Sequence, residues 1–590
     1  MTMSLKPQMP VLLEGVTTEY IDENGVICRK FTENAIISEA IYLRNPITLY
    51  GFGSGNFATV QWITISQVSV SMRNVSFKGL IQVTARGKLE AINCRFKPGS
   101  ANVECAIEIF AQSELIFKDC ELSDSRKAAL LIRDRSKGVI SNCTFMNNGH
   151  SSLLILDGSS AIVEGSRFPG TDQTRFSVYV YRQSSATFNG CSFNQDQGKS
   201  VFVLSSTADF SGCKFNNCIG GAISIADKSK TSVRDCIFSH IKLSSIHGMK
   251  ECNLEVFNSQ FDDCEGNGVN FENSVGIVKD CKFSNFKYPA FAVFGDDSNP
   301  VIQDCQIDQC NTFAAVSRDS SRPLFSNIKI SNGAVNGFSI SDFSSPVIQN
   351  CTIENIKGYA FSAYNGATPT ILGNTIIKCN QICDVFTQAM LTLKDNTFIN
   401  DGEEMLPFVA HIHHLGVLEI QNNVIQLNGN IIPVEIKDGT FVLSDKTINS
   451  KSHIMEHSPL SFLNVDEALN RIHQMSNEQP SKCMCCKSKN PSRTIVPCGH
   501  CIICDNCTGS CKQCPLCQTN VQQTVPIYKS ERCVVCFEQC DTTILPCGHQ
   551  AVCYRCAIRL WKEGRKCPEC REKMISFRYN FPIVDDKSCG

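Results

Sequence analysis

Fourteen cysteines and two histidines near the C-terminal end have the spacing of metal ligands. Cys533 and Cys536 form one Cys-x2-Cys pair. Ten residues on come Cys547 and His549, then Cys553 and Cys556, and after ten more Cys567 and Cys570. Upstream the scheme is repeated by Cys483 and Cys486, Cys498 and His500, Cys504 and Cys507, and Cys514 and Cys517. A Cys-x2-Cys knuckle turns two thiolates toward one ion, and four sulfur or imidazole ligands close the tetrahedral shell of a structural zinc. Eight ligands in each group fit two ions, so the segment reads as two small fingers with four zinc ions in all.

Both groups resemble the RING family. The phrases Leu545-Pro546-Cys547-Gly548-His549 and Cys567-Pro568-Glu569-Cys570-Arg571 are most similar to the RINGs of inhibitor-of-apoptosis proteins and their relatives. The resemblance implies an interleaved order, in which pairs one and three share one ion and pairs two and four the other. The second finger then has Cys533, Cys536, Cys553, Cys556 on one ion and Cys547, His549, Cys567, Cys570 on the other. In the first finger the sets are Cys483, Cys486, Cys504, Cys507 and Cys498, His500, Cys514, Cys517. Interleaving makes each finger one metal-dependent folding unit.

The resemblance also implies an activity. RING proteins recruit a ubiquitin-conjugating enzyme charged with ubiquitin and hold the thioester for attack by a substrate lysine, a gain of proximity and orientation with no covalent ligase intermediate. On that resemblance Val535, Leu560, Trp561 and Pro568 form the conjugating-enzyme surface, and Arg571 stands where active RINGs keep an arginine that bonds to both enzyme and ubiquitin. For Val535 and Trp561 the competing reading is the local core of a very small domain. The first finger departs from the pattern. Cys485 occupies the hydrophobic contact position and Gln518 replaces the arginine, so that finger reads as structural, regulatory or pairing. The tail Phe577-x-Tyr579-x-Phe581 alternates like a strand, which fits either a homodimer interface, as in related RINGs, or packing on its own finger.

The chain that positions these fingers has 590 residues, 36 of them Cys, with 42% hydrophobic and 19% charged residues. Gly (37) and Pro (21) are too ordinary for a collagen-like chain, and the apolar content excludes global disorder. Lys+Arg 55 against Asp+Glu 57 points to no polyanionic partner. Residues 481–590 hold 16 Lys/Arg and 9 Asp/Glu. Four thiolate-rich zinc sites offset about six of those positive charges, so a nucleic-acid partner loses its support. The start has no cationic segment leading into an apolar run, and no ~20-residue apolar stretch occurs, so no membrane partner is expected. The expected location is the cytoplasm, or the equally reducing nucleus, where thiols persist.

The cysteines fall into two populations, 17 from Cys28 to Cys383 and 19 from Cys483 onward, with none between. In the first, one phrase recurs: Asn93-Cys94-x-Phe96, Asp119-Cys120-x-Leu122, Asn142-Cys143-x-Phe145, Gly190-Cys191-x-Phe193, and so on through Cys213, Cys236, Cys281, Cys305 and Cys351. Val75, Ser166, Ser259, Ile328, Asn374, Asn396 and Asn423 take the Cys position in degenerate copies. From 75 to 423 there are fifteen intervals over 348 residues, a mean near 23, which means stacked supersecondary units. Period-two alternation, β-branched residues and Gly, Asn or Ser turns identify the unit as short strands, with no sustained helical pattern. The fold class is therefore all-β: a parallel β-helix of about 16 rungs or more, roughly 75 Å long at ~4.8 Å per rung. The region resembles the right-handed β-helices of carbohydrate-active enzymes and of some F-box substrate receptors, a likeness of fold that says little about activity.

The recurring Cys reads as an inert interior ladder rather than disulfides, because parallel Cα–Cβ bonds leave stacked Cβ atoms about 4.8 Å apart, beyond the ~3.5–4.5 Å a disulfide uses. Asn374, Asn396 and Asn423 should continue it as amides bonded to one another. The expected divisions are a cap over 1–33, the β-helix over 34–450 with its last part (around 426–450) closing the other end, and a hinge over 451–480. The fingers follow at 481–526 and at 527–590, the latter with the tail. Within the hinge, Asn464 and Glu467 resemble a capping box ahead of Ala468, Leu469, Ile472 and Met475, predicting a short amphipathic helix.

Other chemistry is weaker. Asp262/Asp263, Asp296/Asp297 and Asp304 look like turn residues rather than an acid/base pair. His411 and His413 share a strand face, with His414 beside them, but have no Cys or carboxylate near in sequence. Gly51-x-Gly53-x-Gly55 precedes no helix. The expected function is that of a RING-type ubiquitin ligase that binds a protein substrate on its β-helix. A non-catalytic zinc scaffold is the alternative, followed by a carbohydrate-processing β-helix.

Overall fold

A computed structural model describes residues 17–455 with short breaks, the longest being 401–409, and beyond residue 482 parts of the two fingers as far as Tyr579. The expected helix in 451–480 lies outside the described residues. By contacts the chain divides into Met1–Phe462 and Leu463–Gly590.

In the first unit each turn from Lys88 to Lys437 gives one strand to a 20-stranded sheet and two to a 34-stranded sheet, while the turns before it give one long strand to the latter. One turn runs Glu114–Lys118, Glu121–Ser123, Ala128–Ile132. The next lays Lys137–Ser141, Thr144–Met146 and Ser151–Ile155 on those three, parallel and in register. This is the expected parallel β-helix. It begins earlier than residue 34, since Ile27–Phe31 already runs parallel to Ile47–Tyr50. Thr17–Ile21 lies antiparallel on Ile27–Phe31 and covers that edge. In the segment expected to close the coil, around 426–450, the described strands instead extend it. Ile431–Lys437 stacks on Ala410–His413, Thr440–Ser444 on Val417–Gln421, and His453–Met455 on the start of Ile431–Lys437. The Asn-Cys phrase has lapsed there, yet the alternation that makes strands has not.

The repeated phrase marks one corner of the coil. All sixteen residues of the ladder, from Val75 through the nine cysteines to Asn423, are at most 3% exposed. The residue before each has a left-handed φ between 48° and 64°. Every one of those residues is Asn, Asp or Gly, the types that adopt this conformation at least cost, and that is why the phrase reads as it does. Gly165, Gly190, Gly212 and Gly373 fill the corner where no side chain is needed. The coil cysteines are free thiols, and their sulfurs face main-chain carbonyls, as Cys213 does toward Phe188 O at 3.4 Å. Asn374 and Asn396 each donate Nδ2–H to the next asparagine's Oδ1, at 3.0 and 2.9 Å, and their main-chain N–H groups bond to the same oxygens.

Two further inward columns were not apparent in the sequence. Five residues past the first lies a second, with Cys218, Ile241, Cys264, Phe286, Cys310, Ile356 and Cys379 all buried. A third is mostly serine, in which Ser113 N–H donates to Ser136 Oγ and Ser136 N–H to Ser159 Oγ, both at 3.1 Å. Between the corners, the Phe of the repeated phrase builds a stack. Phe145, Phe168, Phe193, Phe215, Phe238, Phe261 and Phe283 follow one another at 4.5–4.9 Å with planes within 9°. That spacing is the strand separation itself, and each pair contributes about 0.5–1.5 kcal/mol beyond its burial.

Candidate metal centres

In the first finger, Arg493–Val496 is the middle of a three-stranded antiparallel sheet, between Cys501–Ile503 and Gln523–Pro526. Cys504 follows one outer strand, and one turn of 3-10 helix over Asp505–Cys507 brings the second cysteine of that pair round. Asp505 fixes this turn to the sheet. It accepts from Ser492 Oγ at 2.7 Å and Arg493 Nε at 2.6 Å, and these hold its carboxyl below the usual range. The result brings the Sγ atoms of Cys483, Cys486, Cys504 and Cys507 within 4.8 Å of one another. Cys486–Cys504 and Cys504–Cys507 are 3.7 and 3.6 Å apart. A tetrahedron of sulfurs about 2.3 Å from zinc has edges of about 3.8 Å, so the cradle has the size of the ion.

In the second finger, Tyr528–Lys529 runs parallel to His549–Gln550 and sets the histidine. The knuckle Cys567–Cys570 is closed by Arg571 N–H to Cys567 O and Cys567 N–H to Glu572 O, both 2.8 Å. Together they gather Cys547, His549, Cys567 and Cys570 within 4.8 Å. Sequence positions 547 and 567 meet because the pairs interleave, as the RING resemblance implied. Hydrogen bonds from neighbouring groups pull the Cys486 thiol down to about 5, with Ser488 as main donor, and the Cys567 thiol to about 5, with Cys547. All-sulfur and three-sulfur-one-imidazole donor sets without carboxylate suit zinc rather than calcium or magnesium. Of the other sets, Cys498, His500, Cys514, Cys517, Cys536 and Cys553 lie outside the described residues. Cys533 and Cys556 are both buried in one small core with Ile544, Val552, Ala557, Cys567 and Met574.

Val535 and Leu560 are half-buried against that core, so each has one side in the finger and one toward solvent. Pro568 and Arg571 are exposed, and Trp561 and Gln518 lie outside the described residues. Arg571 has φ +61°. The tail strand Ser576–Tyr579 pairs antiparallel with Thr542–Leu545 of its own finger, which puts that part of the tail on the self-packing side of the two readings.

Among the described residues of the coil, Asp263, Asp296, Asp297 and Asp304 are turn residues, whereas Asp262 ends the strand Gln260–Asp262. Asp263 and Asp304 sit at left-handed corners, and Asp262 accepts from Ser284 and Asn285. The histidines need a correction. His413 does have a carboxylate partner, Asp384, at 3.1 Å, and His411 Nδ1 lies 2.9 Å from Tyr359 Oη. Both partners belong to other turns, 29 and 52 residues away in sequence, and no reading along the chain pairs residues so far apart.

Fold and donor sets together define a β-helix protein that carries zinc fingers. Models of the right-handed β-helix region match residues 79–238, 201–315 and 244–398, more than half of the chain. The chain belongs to the right-handed β-helix family, and it ends in two RING-type (C3HC4) zinc fingers, matched over 479–524 and 529–577. Two zinc ions in each finger are consistent with these sites. Over 71 residues the chain is 32% identical to baculoviral IAP repeat-containing protein 3 of Homo sapiens and 34% identical to that of Canis lupus familiaris, covering 12% of this chain and 11% of either relative. It thus spans only about a ninth of the length of the curated relatives it matches. Among solved structures it is similar to a GH87 α-1,3-glucanase catalytic domain (TM-score 0.31, 11% identity, 52% of this chain and 60% of that one). It is also similar to the A-module of the mannuronan C-5 epimerase AlgE4 of Azotobacter vinelandii (TM-score 0.23, 12% identity, 67% and 91%). Likenesses this slight say nothing about activity.

Proposed function

We propose that this protein is a RING-type ubiquitin ligase, acting in a reducing compartment such as the cytoplasm. In this reading its second finger recruits a ubiquitin-conjugating enzyme and its β-helix holds a protein substrate. The observation that carries it is Arg571. It follows the last ligand, is exposed, and stands at φ +61°, a conformation in which Gly or Asn costs about 1 kcal/mol less. Its place directly after the last ligand and its exposure leave its side chain open to a partner. Its planar guanidinium can donate to carbonyl groups of two partners at once and so hold the thioester in one orientation. Val535, Leu560 and Pro568 supply the apolar contacts for the conjugating enzyme, with Trp561 beside Leu560 in sequence. Zinc supplies the fold of the finger, and no residue of the chain becomes covalently modified.

Reconstituted ubiquitination tests this. Arg571→Ala should lower chain formation at least tenfold at unchanged zinc content, and Arg571→Lys should recover little of it, because an ammonium has no fork to span two acceptors. If the wild-type chain forms no ubiquitin chains with a broad panel of conjugating enzymes, the reading fails and a zinc scaffold remains.

A further inference from the structure

Single apolar side chains face outward at several places in the 34-stranded sheet, such as Trp62, Met146 and Ile237, but on four consecutive turns they line up in one column. Along one outward column the register runs from Glu108 to Leu131, Leu154, Tyr179 and Phe202, and then to Ser224. The four apolar members are half-buried. Phe176 and Tyr181 widen the band. Phe202 stacks on Tyr179 at 5.5 Å and on Phe176 at 5.4 Å, and Tyr179 on Tyr181 at 5.5 Å. Cations lie on the same rings: Arg175 over Phe176 at 5.3 Å, Lys199 over Phe202 at 4.9 Å, and Arg182, also paired with Asp157, over Tyr181 at 5.1 Å. Residues 128–133, 151–156, 176–181 and 199–204, the four strands and their ends, contain no carboxylate.

We propose that this band docks an acidic, apolar segment of another protein laid across the turns. The rings spend their faces on one another and on cations, so what they offer a partner is their edges, the positive rim of the aromatic quadrupole. Edges and cations together favour carboxylates, while the leucines favour apolar side chains between them. Nucleic-acid bases would need free ring faces on which to stack. Four turns at ~4.8 Å and about five residues at ~3.3 Å give roughly 300 Å², the size of a linear segment's footprint rather than of a domain interface. Local charge agrees: burial, and after it Arg175 and Lys127, depress the pKa of His150 at the margin of the band. As the seat of a ubiquitination substrate the band rests on the ligase reading; as a binding surface it does not.

The test is fluorescence anisotropy on the full chain with two synthetic peptides that share Leu, Ile and Phe positions, one with Asp/Glu and the other with Lys/Arg between them. A polyuronate oligosaccharide and oligo(U) RNA serve as further probes. The acidic peptide should bind and weaken with salt. Tyr179→Ser with Phe202→Ser, and separately Lys199→Glu, should weaken it at least tenfold, while Lys282→Glu on an exposed site of a distant turn changes it less than twofold. Thermal melting shows that each variant is folded. Equal affinity for the two peptides, absence of acidic-peptide binding, indifference to the substitutions in the band, or binding of the polyuronate or RNA in the peptide's place overturns the proposal. The same proteins are assayed for ubiquitin chains without peptide. Peptide binding without chains sinks only the ligase reading, and chains without peptide binding sink only the docking surface.

Discussion

Seventeen cysteines lie in the coil and nineteen in the last 108 residues, and the two regions hold the same side chain in different electrostatic surroundings. In the coil sixteen are buried and Cys105 is half-buried. Burial raises Cys310 and Cys351 to about 12, and Cys379 to about 11. Such a thiol is a small hydrophobe, chosen for its volume. In the fingers, Cys486 and Cys570 are exposed, and the sulfurs stand in groups of four donors within 4.8 Å of one another, where hydrogen bonds bring Cys486 and Cys567 down to about 5 while Cys547, the donor to Cys567, is pushed up. There the thiolate is what matters, since it is the ligand. The difference teaches that cysteine count alone predicts no chemistry. What surrounds the sulfur, a column of stacked side chains or a ring of other donors, decides it.

The comparison can be broken most sharply at the fingers. Cys567→Ala removes one ligand, but because the pairs interleave the whole second finger should unfold, and zinc content measured by mass spectrometry should fall from four ions to two. The free energy at stake is that of structural zinc, about 10–16 kcal/mol, while the far-UV circular dichroism of the coil stays unchanged. A loss of one ion would mean independent sites. Next in size is Asn396→Ala in the ladder. It strands the main-chain N–H and one Nδ2–H of Asn374 and the carbonyl of Ile371 inside the coil, at about 1–3 kcal/mol per orphaned group, so a loss of about 4 kcal/mol in denaturant unfolding is expected. Asn396→Cys, which restores the ladder's commonest residue, should cost less. A loss below about 1 kcal/mol for Asn396→Ala would show that the amides are not what joins those turns.

Asp196 sharpens the same contrast with a carboxyl in the coil. It is fully buried at a position of the second column, and burial raises its pKa from 3.8 to about 6 against the hydrogen bond from Ser177 Oγ. Between pH 4 and 6 the folded state therefore holds a proton that the unfolded chain has released. This stabilises the fold at low pH and is lost as pH rises through about 6, by at most about 3 kcal/mol. Asp196→Asn should then stabilise the coil at pH 7 and flatten its pH dependence over that window in urea titrations; an unchanged slope would show that the site is hydrated. The smallest effect is expected at Cys213→Ala, about 1 kcal/mol for one sulfur's packing, with zinc content and ubiquitin-chain formation untouched.

The sequence could be read where a constraint is local. The left-handed corner admits only Asn, Asp or Gly cheaply, so its position is spelled out in every turn, and the buried Cys beside it follows. Cys-x2-Cys knuckles are likewise closed within four residues. The second column, with Cys218, Cys264, Cys310 and Cys379, was legible in principle, since several of its members also follow a left-handed Asn or Asp such as Asn217 and Asp263. It stayed hidden because its residues vary among Cys, Ile, Phe and Asp. The band of Leu131, Leu154, Tyr179 and Phe202 also left a trace, in continuous apolar runs such as Val201-Phe202-Val203-Leu204 where alternation was due.

By itself, then, the sequence determined the parallel β-helix, its first ladder and the Cys and His pairs of the fingers, because periodicity, φ preference and knuckle spacing act over a few residues, while the sharing of ions between pairs was implied by the RING resemblance. Only the tertiary structure decided that His413 meets Asp384, that the tail strand packs on its own finger, that the strands Ile431–Lys437, Thr440–Ser444 and His453–Met455 prolong the coil, and that four aromatic and aliphatic side chains form one surface. Ladder intervals range from 19 to 27 residues. Which outward residues become neighbours thus depends on register accumulated turn by turn, and no local preference constrains a side chain that faces water.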